Sequence, residues 1–259
     1  MYAFLLKPKW LGFHLLCLAA IVAMINLGLW QLRRLDEKQT FNDRVTSHDA
    51  ATPVPLTPDL LESDTGDLIY RRVETTGTYL DTPQFEMVNV TQDGTTGRNV
   101  VNALQLDDGS LVIVNRGFVP TGSAVPAPPS GEVQVLARLK EGQTAGTGQP
   151  RDDGSQQLTE IRRVDLGALA QQFEQPIAPM YLDLLESAPA ESSSVSPVAF
   201  PSLSDGPHLS YTIQWFIFTI CVAVGWVFAI RKSVRERNGK APKKPSKFKA
   251  VERYDPAAS

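Results

Sequence analysis

Two long apolar runs, one toward each end of the chain, frame a middle in which apolar and polar positions mostly alternate. From Trp10 to Leu32 there are 23 consecutive residues without Asp, Glu, Lys or Arg, and from Gly206 to Ile230 there are 25. About 20 apolar residues in a helix cross a bilayer, so the runs predict spans over residues 10–32 and 208–230. The first is longer than the apolar part of a secretory signal, and no Ala-x-Ala triplet closes it. It therefore reads as an uncleaved anchor, with helix continuing through Leu35 and Lys38 to Val45.

Between the runs the period changes from helix to strand. Val133, Val135, Ala137 and Leu139 alternate on one face of a predicted strand. Arg72–Tyr79, Phe85–Val90 and Met180–Leu185 read as further strands. Val100–Leu106 and Leu111–Asn115 flank Asp107-Asp108-Gly109-Ser110, the signature of a hairpin. One short helix is expected over Leu166–Phe173, capped by Asp165. Residues 187–207 are Ser, Pro or Ala at 14 of 21 positions, which predicts a linker that adds nothing to the core. The fold class is a membrane protein with two transmembrane α-helices flanking a β-rich (α+β) extracytoplasmic domain. Its segments are a terminus (1–9), a span (10–32), the domain (33–186), the linker (187–207), a second span (208–230) and a basic tail (231–259).

Composition sharpens the membrane reading. All four Trp of the 259 residues fall inside the two runs, and Trp10 and Trp30 stand about 30 Å apart on a helix, as interfacial aromatic belts do. Charge orients the chain: residues 1–9 carry +2, residues 33–208 carry −12 and residues 231–259 carry +7. Basic flanks stay on the cytoplasmic side, so both termini are expected there and the acidic middle outside. Arg33 and Arg34 pull weakly the other way. No Arg- and Ser-rich transit segment precedes Trp10, which points to a bacterial plasma membrane. Pro242 and Pro245 argue for a disordered tail lying near anionic lipid. The net charge of −3 argues against a nucleic-acid binder.

Candidate chemistry is sparse. Cys17 and Cys221 both lie in the spans, so the domain has neither a disulfide nor a thiol nucleophile. Its only histidine, His48, sits in a polar stretch and reads as a solvated surface side chain. No Gly-rich phosphate loop is present. The chain is expected not to be an enzyme. At the second span, His208 opens a helical face carrying Tyr211 or Thr212, Trp215 and Thr219. An ionisable group at a membrane edge raises a functional hypothesis, although the residues alone favour an imidazole hydrogen-bonded to headgroup water. His14, about 27 Å below the outer end of the first span, cannot share one ligand with His208 within a monomer.

These residues together resemble the Surfeit locus protein 1 family, assembly factors of cytochrome c oxidase. The likeness runs from Gly28-Leu29-Trp30-Gln31-Leu32-Arg33-Arg34 through Tyr70-Arg71-Arg72-Val73, Gly77-x-Tyr79 and Val114-Asn115-Arg116-Gly117-Phe118-Val119-Pro120. It ends in His208-Leu209-Ser210-Tyr211-Thr212-Ile213-Gln214-Trp215-Phe216. The resemblance implies a part in maturing the haem a centres of oxidase subunit I, and partners in that subunit and a haem a synthase. It also implies that His208 is an axial ligand to haem a. Arg33 and Arg34 would then pair the propionates, although they suit the headgroup layer equally, and Tyr211 and Trp215 would pack the ring. Asp205-Gly206-Pro207 departs from the family, where Asn is frequent before the histidine. Two other readings stand beside this one: a structural chaperone of oxidase subunits that binds no haem, and a membrane-anchored sensor or binding domain.

Overall fold

The computed structural model describes residues 3–61 and 65–239. Its helices are α1 (Pro8–Ala50), α2 (Pro58–Leu61), α3 (Thr65–Leu68), α4 (Leu166–Leu169) and α5 (His208–Arg237). Its strands are β1 (Val54–Pro55), β2 (Arg72–Gln92), β3 (Thr95–Leu106), β4 (Leu111–Pro120), β5 (Glu132–Glu141), β6 (Glu160–Ile161) and β7 (Ile177–Ala188). Two compact units result: Lys38–Ser204, and a helical unit of Met1–Glu37 with Asp205–Ser259.

In the helical unit, α1 and α5 both carry windows apolar enough to cross a membrane, with 11% and none of those windows buried. Leu15, Leu16, Ile220 and Phe228 each expose more than 60% of their surface. A core helix of a soluble domain hides such side chains, so these are candidate membrane helices. The two run antiparallel, because Gln31 meets His208 while His14 meets Trp226. Gly28 makes room for Phe216, whose ring would lie 3.1 Å from a Cβ at that position. Small residues of this kind let apolar helices approach closely where no hydrophobic effect drives them together.

Both helices overrun the expected spans. α1 reaches Ala50, and α5 reaches Arg237 because nothing breaks it before Asn238 and Gly239, the latter at φ +70°. Residues 231–237, expected in the tail, are thus helical. The rest of the tail, from residue 240, lies outside the described residues.

Lys38–Ser204 holds a closed β-barrel. Strand order is β2-β3-β4-β7-β5, and β5 pairs again with β2 to complete the circle. The two expected strands at Arg72–Tyr79 and Phe85–Val90 are one element. β2 pairs with β5 over residues 72–78 and with β3 over 77–92, its register shifting between Tyr79 and Gln84. The irregularity at Asp81-Thr82-Pro83 bends the strand without ending it.

Alternation sorts the side chains into two cores. Val73, Leu104, Val112, Val114, Val135, Leu139 and Leu182 point inward. Phe85, Val101, Leu111, Ile113 and Tyr181 point outward, under Ile161, Val164 and Leu169. β4 is therefore buried on both faces, a setting its unbroken Leu-Val-Ile-Val run suits. Each such side chain contributes roughly 1.5–3 kcal/mol when fully buried. Asp165 caps α4 through Gly167 N and Ala168 N, and a 3₁₀ turn over Ala170–Gln172 follows where a longer α-helix was expected.

The Ser/Pro/Ala segment departs most from expectation. Ser187 and Ala188 belong to β7, and the residues after them strap the barrel. Val195 is buried with Val100 and Val119, and Phe118 and Ser196 exchange backbone hydrogen bonds. Gly117, at φ +141°, is where the strap crosses, and a Cβ there would run into the Ser196 carbonyl. Glu191 reaches inward to Arg116, a wholly buried guanidinium at the bulge of β4. Composition hid this contribution because it rests on two side chains and one close backbone approach.

Candidate functional site

α5 begins at His208 because Gly206, at φ +68°, and Pro207 set the turn before it. Thr212, buried one turn on, donates its hydroxyl to the His208 carbonyl at 2.9 Å. His208 Nδ1 lies 2.7 Å from Oε1 of Gln31 on α1. Gln31 is only 9% exposed and His208 is half-buried, so the pair sits inside the helix–helix seam. The other ring nitrogen, Nε2, faces Gly206, where a Cβ would stand 3.5 Å away.

The remaining predicted residues surround this pair unevenly. Arg33 is exposed. Arg34 stacks on Trp30 at 5.8 Å and pairs with Glu37 at 2.7 Å, with both side chains more than half exposed. Such a pair is worth well under about 1 kcal/mol, so an anion readily competes for the arginine. Tyr211 is 47% exposed on the outer side of α5. Trp215, one turn below it, packs edge-on against Phe218. The structure thus joins His208 to Gln31, and it engages Arg34 and Trp215 with neighbours on their own helices.

His14 shows the opposite arrangement. Trp226 Nε1 donates to His14 Nδ1 at 2.8 Å, and Trp10 packs against the same imidazole at a 41° tilt, 5.6 Å between centroids. Its Nδ1 lone pair is spent on the indole. His48 is not the solvated side chain expected. It is half-buried in the last turn of α1, with Nδ1 2.8 Å from the Ile69 carbonyl.

Two polar centres in the domain escaped the sequence reading. Arg116 makes a bidentate pair with Glu191 at 2.9 and 2.7 Å, and also reaches Asn102 Oδ1 and the carbonyls of Pro126 and Ala127. Asp183 accepts from Asn115 Nδ2 at 2.9 Å. Burial pushes its carboxyl above the usual carboxylate range, against the opposing pull of Lys140, Asn115 and Arg138. Arg116 and Asn115 both stand in the motif quoted above, but a motif does not reveal which of its members face inward. A groove of about 1210 Å³ in the domain lies between Leu56, Leu106, Leu136 and Ile177 under an acidic rim and holds none of the predicted residues.

The donor set fits a haem iron better than a bare metal ion. Among the described residues, no group of three or more His, Cys, Asp or Glu side chains is placed to hold a metal. Haem supplies four ligands of its own and asks the protein for one axial imidazole. His208 has one ring nitrogen engaged and the other turned toward a residue without a side chain.

The chain matches the sequence profile of the SURF1 family over residues 18–220. It belongs to that family. SURF1-like proteins of Mycobacterium tuberculosis and Mycobacterium bovis, each named uncharacterised, are 33% identical to it over 96% of this chain and 94% of their own length. Surfeit locus protein 1 of Takifugu rubripes is 24% identical over 81% of this chain and 93% of its own length. The SURF1 match takes in Gln31, Arg116, Gly117 and His208, so the Gln31–His208 end of the helix seam and the strapped barrel both lie within the family segment.

Proposed function

We propose that this chain is an assembly factor for cytochrome c oxidase, and not a catalyst, that binds haem a at His208 and presents it to oxidase subunit I. The observation that carries the reading is the half-buried imidazole at the first position of α5, with Nδ1 held by Gln31 and Nε2 left facing Gly206. Bound haem would supply the redox-active iron, and the chain would supply one axial nitrogen and an apolar wall. A single axial ligand suits a carrier, since it holds the group firmly enough to collect it and weakly enough to pass it on. Tyr211 and Trp215 offer ring faces beside His208, and Arg33 and Arg34 offer cations for the propionates. A haem a synthase is the donor this reading requires. The site is a membrane-edge one in a bacterial plasma membrane, both termini cytoplasmic and the barrel outside, which the charge split supports.

Deleting this chain should lower the haem a content of the assembled oxidase, and re-expression should restore it. The His208→Ala form should restore it poorly despite normal abundance in the membrane. Full restoration by His208→Ala would favour the haem-free chaperone role instead.

A further inference from the structure

We propose that Gln31 is the positioning residue that makes His208 a ligand: it fixes the proton on Nδ1 and so leaves Nε2 unprotonated. This deepens the haem reading and rests on it for its purpose, although the tautomer itself can be observed without haem.

The two histidines of the helix pair differ in what holds their Nδ1 atoms. A neutral imidazole carries one proton, and the partner of each nitrogen decides where it sits. At His208 the partner is an amide oxygen, which only accepts, so Nδ1 must donate and Nε2 is unprotonated. At His14 the partner is an indole N–H, which only donates, so Nδ1 must accept and the proton sits on Nε2. The two imidazoles are therefore held in opposite tautomers. An iron needs an unprotonated nitrogen. His208 presents one on its Gly206 side, whereas the second nitrogen of His14 carries a hydrogen.

Position makes the control effective. Gln31 is nearly fully buried, so water competes poorly for its carbonyl oxygen. It lies on α1, and the bond spans 177 residues of sequence, so it anchors the ring from outside its own helix. A hydrogen bond to the non-ligating nitrogen orients the imidazole and raises its basicity toward a metal. Losing such a partner commonly lowers metal affinity 10- to 100-fold.

The test uses the full chain in lipid nanodiscs, labelled with ¹⁵N-histidine and free of haem. Long-range ¹H–¹⁵N spectra at neutral pH should show His208 protonated at Nδ1 and His14 protonated at Nε2. Gln31→Leu removes the acceptor at similar size, and should send the His208 proton to Nε2 while leaving His14 unchanged. Gln31→Glu keeps an acceptor and should keep the Nδ1 proton. After loading with haem a, Gln31→Leu should bind 10- to 100-fold more weakly than the unmutated protein. Gln31→Glu should bind, with a reduction potential below that of the unmutated protein, because a carboxylate makes the imidazole a stronger donor. A His208 tautomer that does not respond to Gln31→Leu overturns the proposal. An unmutated protein that takes up no haem yet shows the tautomer inversion would refute the functional reading and still support control by Gln31.

Discussion

The clasp between Arg116 and Glu191 gives a quantitative test of how the barrel is closed. Arg116 has no exposed side-chain surface and Glu191 only 12%, and they meet through two bonds of 2.9 and 2.7 Å. Glu191→Ala leaves the guanidinium buried with neutral acceptors alone: Asn102, Gln84 and the carbonyls of Pro126 and Ala127. Breaking a buried pair by removing one partner costs about 3–5 kcal/mol. For a domain of this size, that corresponds to a fall of roughly 6–20 °C in Tm. Arg116→Met combined with Glu191→Leu removes both charges, and should cost less than Glu191→Ala because no uncompensated charge remains. Thermal unfolding of the full chain in nanodiscs measures the first effect. Hydrogen exchange at Phe118 and Ser196 localises it, because their mutual amide bonds hold the strap. A Glu191→Ala protein with unchanged Tm and unchanged protection at those amides would refute the argument.

Three further outcomes follow from the same structure. Asp183→Asn should flatten the pH dependence of stability: a carboxyl whose native pKa is raised favours folding below its unfolded value near 3.8, and that advantage is lost as pH climbs through the higher native value. The gap in denaturant midpoint between Asp183→Asn and the unmutated chain should widen in the variant's favour as pH rises from 4. Gly117→Ala should destabilise by about 1–3 kcal/mol from its φ of +141° alone, with added loss where the new methyl meets the strap, as read by Tm. A phosphatase active only outside the cytoplasm should work when fused near residue 140 and fail at residue 259; the reverse pattern would invert the orientation.

What the sequence made legible was mostly periodic. The two spans and the alternating strand at Val133–Leu139 follow from spacing and apolarity, because burial repeats along them. Features resting on single contacts were not legible. Pro83 looks like a strand end, yet β2 passes through it by shifting register. A Ser/Pro/Ala composition signals a solvated linker, yet Glu191 and Val195 tie the segment down. His208 was visible as a titratable ring at a span edge. Gln31 lay in a quoted motif without a role, since its partner stands 177 residues away and only the antiparallel seam joins them. A glutamine at the end of a span, where a polar side chain needs a partner, was the signal that would have found it.

The central claim is that His208 is the axial ligand through which this SURF1-family chain binds haem a. The most direct measurement is the Soret absorbance of the unmutated protein and of His208→Ala, both purified from cells that make haem a. A Soret band is expected in the unmutated protein, and most of it should be lost in the variant. The variant should keep its barrel, because His208 belongs to the helical unit while the barrel core is built within Lys38–Ser204. Equal haem content in the two proteins would contradict the account, whether both are loaded or both are empty.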